Sequence, residues 1–124
     1  MNGKTILYVE DNEFNRKIVR QLLAATTYRL LEATDGEQGV AMARDSVPDL
    51  ILMDVQLPKL SGLEATRMLR ADPRTTAIPI VVVTSFALSG DDRQALDAGA
   101  TAYLAKPYSP RQMLELIRKL VPET

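Results

Sequence analysis

The chain has 124 residues, 46 % of them hydrophobic and 25 % charged, proportions that fit one folded domain and argue against a disordered segment. It contains no cysteine and no histidine, which excludes disulfides, thiol nucleophiles, Cys/His zinc sites and every His-based triad. A formal net charge of -1 gives no electrostatic footprint for nucleic acid or an anionic membrane, so any chemistry runs on carboxylates, lysine and hydroxyls.

Met1-Asn2-Gly3-Lys4 leads into a strand pattern without the apolar stretch of a signal peptide or membrane span, and the expected compartment is the cytoplasm. Ile6-Leu7-Tyr8-Val9 is a short apolar run followed directly by Glu10-Asp11-Asn12, the pattern of a strand buried on both faces. Asn12 can cap a helix from Glu13 to Ala25, whose apolar residues Phe14, Ile18, Leu22 and Leu23 fall at helical spacing. Tyr28–Ala33 is strand-like but carries two charges, as an edge strand does. Thr34-Asp35-Gly36 opens a second helix through Val40, Met42 and Ala43, ending near Asp45.

Leu50-Ile51-Leu52-Met53-Asp54 is an unbroken apolar run ending on a carboxylate, bounded by Pro48-Asp49 before it and by Gln56-Leu57-Pro58 after it. It reads as the central strand, with Asp54 at its carboxyl edge, where open α/β sheets place ligand chemistry. Ser61 is the expected cap of a third helix containing Leu63, Met68 and Leu69, which stops before Asp72-Pro73. Ile80-Val81-Val82-Val83 is a β-branched buried strand closed by Thr84-Ser85. Gly90-Asp91-Asp92 opens a helix to about Ala98, with Ala95 and Leu96 as its apolar face and Gly99 as its C-terminal cap. Ala102–Ala105 is the last strand, ended by Lys106-Pro107. Ser109-Pro110 starts a final helix with Met113, Leu114, Ile117, Leu120 and Val121 on its buried stripe. Met53, Met68 and Met113 are expected as core fillers.

Five strands alternating with five helices predict an α/β fold, a parallel sheet with helices on both faces. In such a sheet the strand ends deliver Glu10 and Asp11, Asp54, Thr84 and Lys106 to one edge. Carboxylates about 5 Å apart at an effective dielectric of about 20 repel by on the order of 3 kcal/mol per pair. One lysine does not offset that, so either a carboxyl keeps its proton or a divalent cation sits among them. An all-oxygen site suits Mg²⁺, with Mn²⁺ as the other possibility. Taken singly, Asp54 reads as a loop residue, Glu10-Asp11 as acids favouring a helix start, Lys106 as a solvated lysine, and Thr84 and Tyr103 as plain strand residues.

Taken together and in order, the acidic pair Glu10-Asp11, Asp54 followed by Pro58 and Ser61-Gly62, Thr84-Ser85 and Lys106-Pro107 resemble the receiver domains of two-component response regulators. The resemblance covers the whole chain, expected as one receiver domain over residues 1–124 with no output domain. It implies a doubly wound, flavodoxin-like five-stranded parallel sheet in the order 2-1-3-4-5. It further implies that Asp54 is a phosphoacceptor forming an aspartyl phosphate. Asp11, Asp54 and the backbone carbonyl of Gln56 would ligate Mg²⁺, with Glu10 acting through water. Lys106 would pair with a phosphoryl oxygen, the Thr84 hydroxyl would bond another, and Tyr103 would be the aromatic that turns inward as Thr84 moves. A cis bond at Lys106-Pro107 is also implied.

Gln56 and Phe86 would border the path of the hydrolytic water, and bulky Phe86 predicts slow self-dephosphorylation. The expected donor is a histidine kinase or histidine phosphotransferase, with Phe14, Asn15 and Ile18 near its helix. The downstream protein partner would use the face of the fourth helix, fifth strand and fifth helix. No nucleic acid or membrane partner is expected, and no catalysis beyond the chain's own phosphorylation and slow dephosphorylation.

The residues from Phe86 to Asp91 and from Glu10 to Glu13 most resemble single-domain receivers of the DivK type and the receivers of hybrid kinases, which leaves a receiver cut from a hybrid histidine kinase as one alternative. A Mg²⁺-dependent phosphatase with an Asp nucleophile is another, but it wants a second Asp two residues on, where Gln56 stands. A flavin module would need a phosphate loop after the first strand, where the acids stand instead.

Overall fold

The computed structural model describes residues 3–84 and 91–123. Its elements alternate as β1 (Thr5–Val9), α1 (Glu13–Ala24), β2 (Arg29–Ala33), α2 (Gly36–Ser46), β3 (Leu50–Asp54), α3 (Gly62–Ala71), β4 (Ile80–Thr84), α4 (Asp91–Asp97), β5 (Ala102–Ala105) and α5 (Pro110–Leu120). The strands form one sheet in the order β2-β1-β3-β4-β5, and every pairing is parallel. This is the predicted doubly wound architecture.

The alternation of side chains along each strand divides the core in two. Leu7, Val9, Ile51, Met53, Ile80 and Val82 point to one face, where Val40 and Ala43 of α2, Ala65 and Leu69 of α3 and Ala95 of α4 cover them. Ile6, Tyr8, Leu50, Leu52, Val81 and Val83 point to the other, under Val19 and Leu23 of α1 and Met113 and Ile117 of α5. Covered on both faces, β3 and β4 are buried at every residue, which is why their sequences are unbroken apolar runs. The charged strand β2 is an edge.

Side-chain caps fix where helices begin. Asn12 accepts from the Asn15 N–H at 3.0 Å, Asp35 from the Gln38 N–H at 2.8 Å and Ser61 from the Glu64 N–H at 3.2 Å. Ser109 and Gln112 form a reciprocal capping box with Pro110 in the first turn.

Three side chains expected in the core are outside it. Phe14 is 69 % exposed, while Val19 and Leu23 carry the inner face of α1; Phe14 lies five residues before Val19, about 140° round the helix. Met68 and Leu96 are exposed too. Each stands next to the residue that is buried, Leu69 and Ala95, about 100° off the inward direction.

Candidate functional site

The strand order reverses between β1 and the central strand β3, and such a reversal leaves a crevice at the carboxyl ends of the two strands. Glu10 follows β1 and is 1 % exposed; Asp54 ends β3 and is 4 % exposed. Lys106 follows β5 and reaches over β4, placing its Nζ 3.1 Å from Asp54 Oδ2 and 3.8 Å from Glu10 Oε1. The other Asp54 oxygen, Oδ1, accepts the Gln56 N–H at 2.9 Å. The Asp54 carboxylate is thus held at both oxygens while its backbone stays inside the sheet.

Glu10 is held as firmly. Its Oε1 accepts from the Tyr8 hydroxyl at 3.2 Å, its Oε2 from the Asn12 N–H at 3.1 Å, and its backbone oxygen from Arg16 Nη1 at 2.8 Å. Burial, then the hydrogen bond and charge of Asp54, push the Glu10 carboxyl up to about 7. Burial draws Lys106 down, but its hydrogen bond to Asp54 and the charges of Asp54 and Glu10 outweigh that and hold the ammonium above its ordinary value. Burial raises the phenols of Tyr8 and Tyr108. Two buried carboxyls therefore face a single ammonium, an arrangement with room for one more positive charge, whether a proton or a cation.

The three-carboxylate cluster expected from sequence is not a ready-made cage. Among the described residues no three Asp or Glu side chains converge on one point, and Asp11, next after Glu10, is exposed. Mg²⁺ keeps several of its waters and needs only one or two carboxylates, so the buried pair and the oxygen-only donors around it fit such an ion.

Thr84 is 1 % exposed at the end of β4, beside Ala105 in the sheet, and its carbonyl accepts the Lys106 N–H at 2.7 Å. Tyr103 is 38 % exposed on β5. Gln56, the second residue after β3, is exposed. The Lys106–Pro107 bond is cis. Phe86 and Ser85 lie outside the described residues. Asn15, Ile18, Lys106, Pro107, Tyr108 and Pro110 line a groove of about 330 Å³ that shares Lys106 with the site.

Sequence reasoning passed over Tyr8, Tyr108 and Arg16. Tyr8 counts as one more apolar residue in the first strand, yet two residues before Glu10 it shares that residue's face of the strand. That spacing was the available signal. Arg16 was unreadable, because its bond to the Glu10 carbonyl depends on how α1 docks.

A family model described as the response regulator receiver domain matches residues 6–118. The polar-differentiation response regulator DivK of Brucella anthropi is 42 % identical over 115 residues, 93 % of this chain and 94 % of DivK. Among solved structures, the receiver domain of a Pseudomonas aeruginosa sensor histidine kinase, with magnesium coordinated in its active-site cleft, superposes with a TM-score of 0.89. It is 38 % identical, covering 95 % of this chain and 97 % of its own. The chemotaxis response regulator CheY4 of Vibrio cholerae also gives a TM-score of 0.89, at 26 % identity over 95 % of this chain and 98 % of its own.

Proposed function

The chain belongs to the family of response regulator receiver domains, and from that premise we propose that it accepts a phosphoryl group on Asp54 and signals by the change in shape that follows. The observation that carries the reading is the Asp54 carboxylate itself, buried at a strand end and gripped by Lys106 Nζ at 3.1 Å and the Gln56 N–H at 2.9 Å. The donor is a phosphohistidine on a histidine kinase or histidine phosphotransferase. An Asp54 oxygen attacks phosphorus in line with the P–N bond; the new P–O bond forms as the P–N bond breaks, and its electron pair stays on the donor imidazole.

Asp11, Asp54, the Gln56 carbonyl and, through water, Glu10 would hold Mg²⁺ or Mn²⁺, which offsets charge on the phosphoryl group when bound. Once Asp54 is phosphorylated, Lys106 pairs with a phosphoryl oxygen and the Thr84 hydroxyl bonds another. Tyr103 then turns inward, and the change is read on the face of α4, β5 and α5, where Leu96 is 49 % exposed and Tyr103 38 %. That face takes the downstream protein partner. The only reaction catalysed is the chain's own phosphorylation and its slow reversal by water.

The unit is read as a receiver acting by itself, on the strength of the DivK likeness over nearly the full length of both chains. The Pseudomonas likeness supports a second reading, a receiver working inside a histidine kinase. The test of the acceptor is intact mass after incubation with acetyl phosphate. One phosphoryl adduct is expected with Mg²⁺ present, absent without the metal and absent from Asp54→Asn; an adduct that survives the substitution refutes the assignment.

A further inference from the structure

Two phenols lie beneath the site, and the proposed transfer uses neither. Tyr8 is fully buried in the middle of β1, packed among Ile6, Leu50, Leu52 and other apolar side chains. Phenylalanine would fill the same volume there without a polar atom to satisfy, and a buried hydroxyl is costly unless it is bonded. The Tyr8 hydroxyl is bonded to Glu10 Oε1 at 3.2 Å. Beside it lies the Tyr108 hydroxyl, on the segment that also carries Lys106.

The geometry leaves Tyr8 a definite task. Lys106 is committed to Asp54 at 3.1 Å and stands 3.8 Å from Glu10, too far for a hydrogen bond. The Asn12 N–H fixes Oε2 alone. Without the Tyr8 hydroxyl, Oε1 would lose this hydrogen bond, and Lys106 Nζ at 3.8 Å would not replace it. The Tyr8 hydroxyl and the Asn12 N–H thus fix one carboxyl oxygen each.

We infer that Tyr8, backed by Tyr108, is a positioning residue: its hydroxyl holds the Glu10 carboxylate in the orientation that reaches a divalent cation, and so sets the cation affinity of the site. The inference rests on the proposed Mg²⁺ site and concerns how this chain supports it from below. Tyr8 acts on the ion through Glu10 and its water, and outer partners that orient a metal's ligands are commonly worth about a factor of ten in affinity.

The test is calorimetric titration of Mg²⁺ into the full chain, Tyr8→Phe, Glu10→Gln and the double variant. Tyr8→Phe is expected to bind Mg²⁺ about tenfold more weakly, and to cost nothing further once Glu10 is glutamine. A merely structural role for Tyr8 would lower the melting temperature and leave the Mg²⁺ Kd in place. A Kd within about threefold of the unsubstituted chain, or an equal loss in the Glu10→Gln background, overturns the inference. Should Tyr8→Phe fail to fold, Tyr108→Phe replaces it, with weaker Mg²⁺ binding expected and unchanged binding overturning the claim. If the unsubstituted chain takes up no Mg²⁺, the proposed function falls as well; if it does and Tyr8→Phe binds equally well, only this inference falls.

Discussion

A carboxyl group that is 1 % exposed and shares one ammonium with a second carboxylate keeps its proton to about pH 7. For Glu10 that has a consequence for stability. The folded chain binds this proton up to about pH 7, whereas the unfolded chain releases it near the ordinary value of 4.5. Between those limits the native state holds more protons than the unfolded one, so stability falls as pH rises. In metal-free protein the fall is expected to be on the order of 1–3 kcal/mol between about pH 4.5 and pH 7.5. Urea unfolding in the presence of a chelator measures it. Glu10→Gln should flatten the slope in this window, and saturating Mg²⁺ should abolish it, because the cation takes the proton's place. A chelated protein whose stability rises through the window would contradict the retained proton on Glu10.

At the scale of elements, α3 is pinned at both ends, and one end is the site. Gly62 begins the helix so close to β3 that a Cβ there would stand 1.9 Å from the Asp54 carbonyl oxygen, and its N–H bonds the Val55 carbonyl at 3.0 Å. At the far end Arg70 donates to the carbonyls of Gly99 at 2.6 Å, Ile78 at 2.6 Å and Thr76 at 2.9 Å, tying α3 to the segments before β4 and before β5. Gly-to-Ala changes in a helix ordinarily stabilise it by up to about 1 kcal/mol. Gly62→Ala is expected to do the opposite, lowering the urea midpoint by the equivalent of about 2–3 kcal/mol as α3 is forced off β3. A raised midpoint would show that the close approach does not constrain the site.

Across the whole molecule, the site at the carboxyl ends of the strands and the proposed partner face of α4, β5 and α5 are joined through β4 and β5. The chain supplies its own probe of that connection. It has no tryptophan and four tyrosines; Tyr8 and Tyr28 are buried, while Tyr103 is 38 % exposed. Beryllium fluoride with Mg²⁺, standing in for the phosphoryl group, is expected to reduce iodide quenching of tyrosine fluorescence as Tyr103 turns inward. Tyr103→Phe should show no such protection. Unchanged quenching in the unsubstituted chain would refute the role given to Tyr103.

The large-scale plan was legible because burial on both faces leaves a plain mark. The unbroken runs Leu50–Met53 and Ile80–Val83 announce central parallel strands, and central strands carry their final residues to a common edge. Finer placement was not legible. Helices as short as α3 and α4 offer neighbouring apolar residues such as Met68 and Leu69, or Leu96 and Ala95, and a rotation of about 100° decides which is buried. Contacts between distant segments, such as Arg16 with the Glu10 carbonyl or Arg70 with Gly99, leave no local pattern.

The most direct test of the account is to find the phosphoryl group. Borohydride reduction of the chain after acetyl phosphate treatment with Mg²⁺ converts an aspartyl phosphate to homoserine, which peptide mass spectrometry locates. Homoserine at position 54 and nowhere else is the result predicted. Homoserine at position 11, or a phosphoryl adduct that yields none, would contradict the claim that Asp54 is the acceptor.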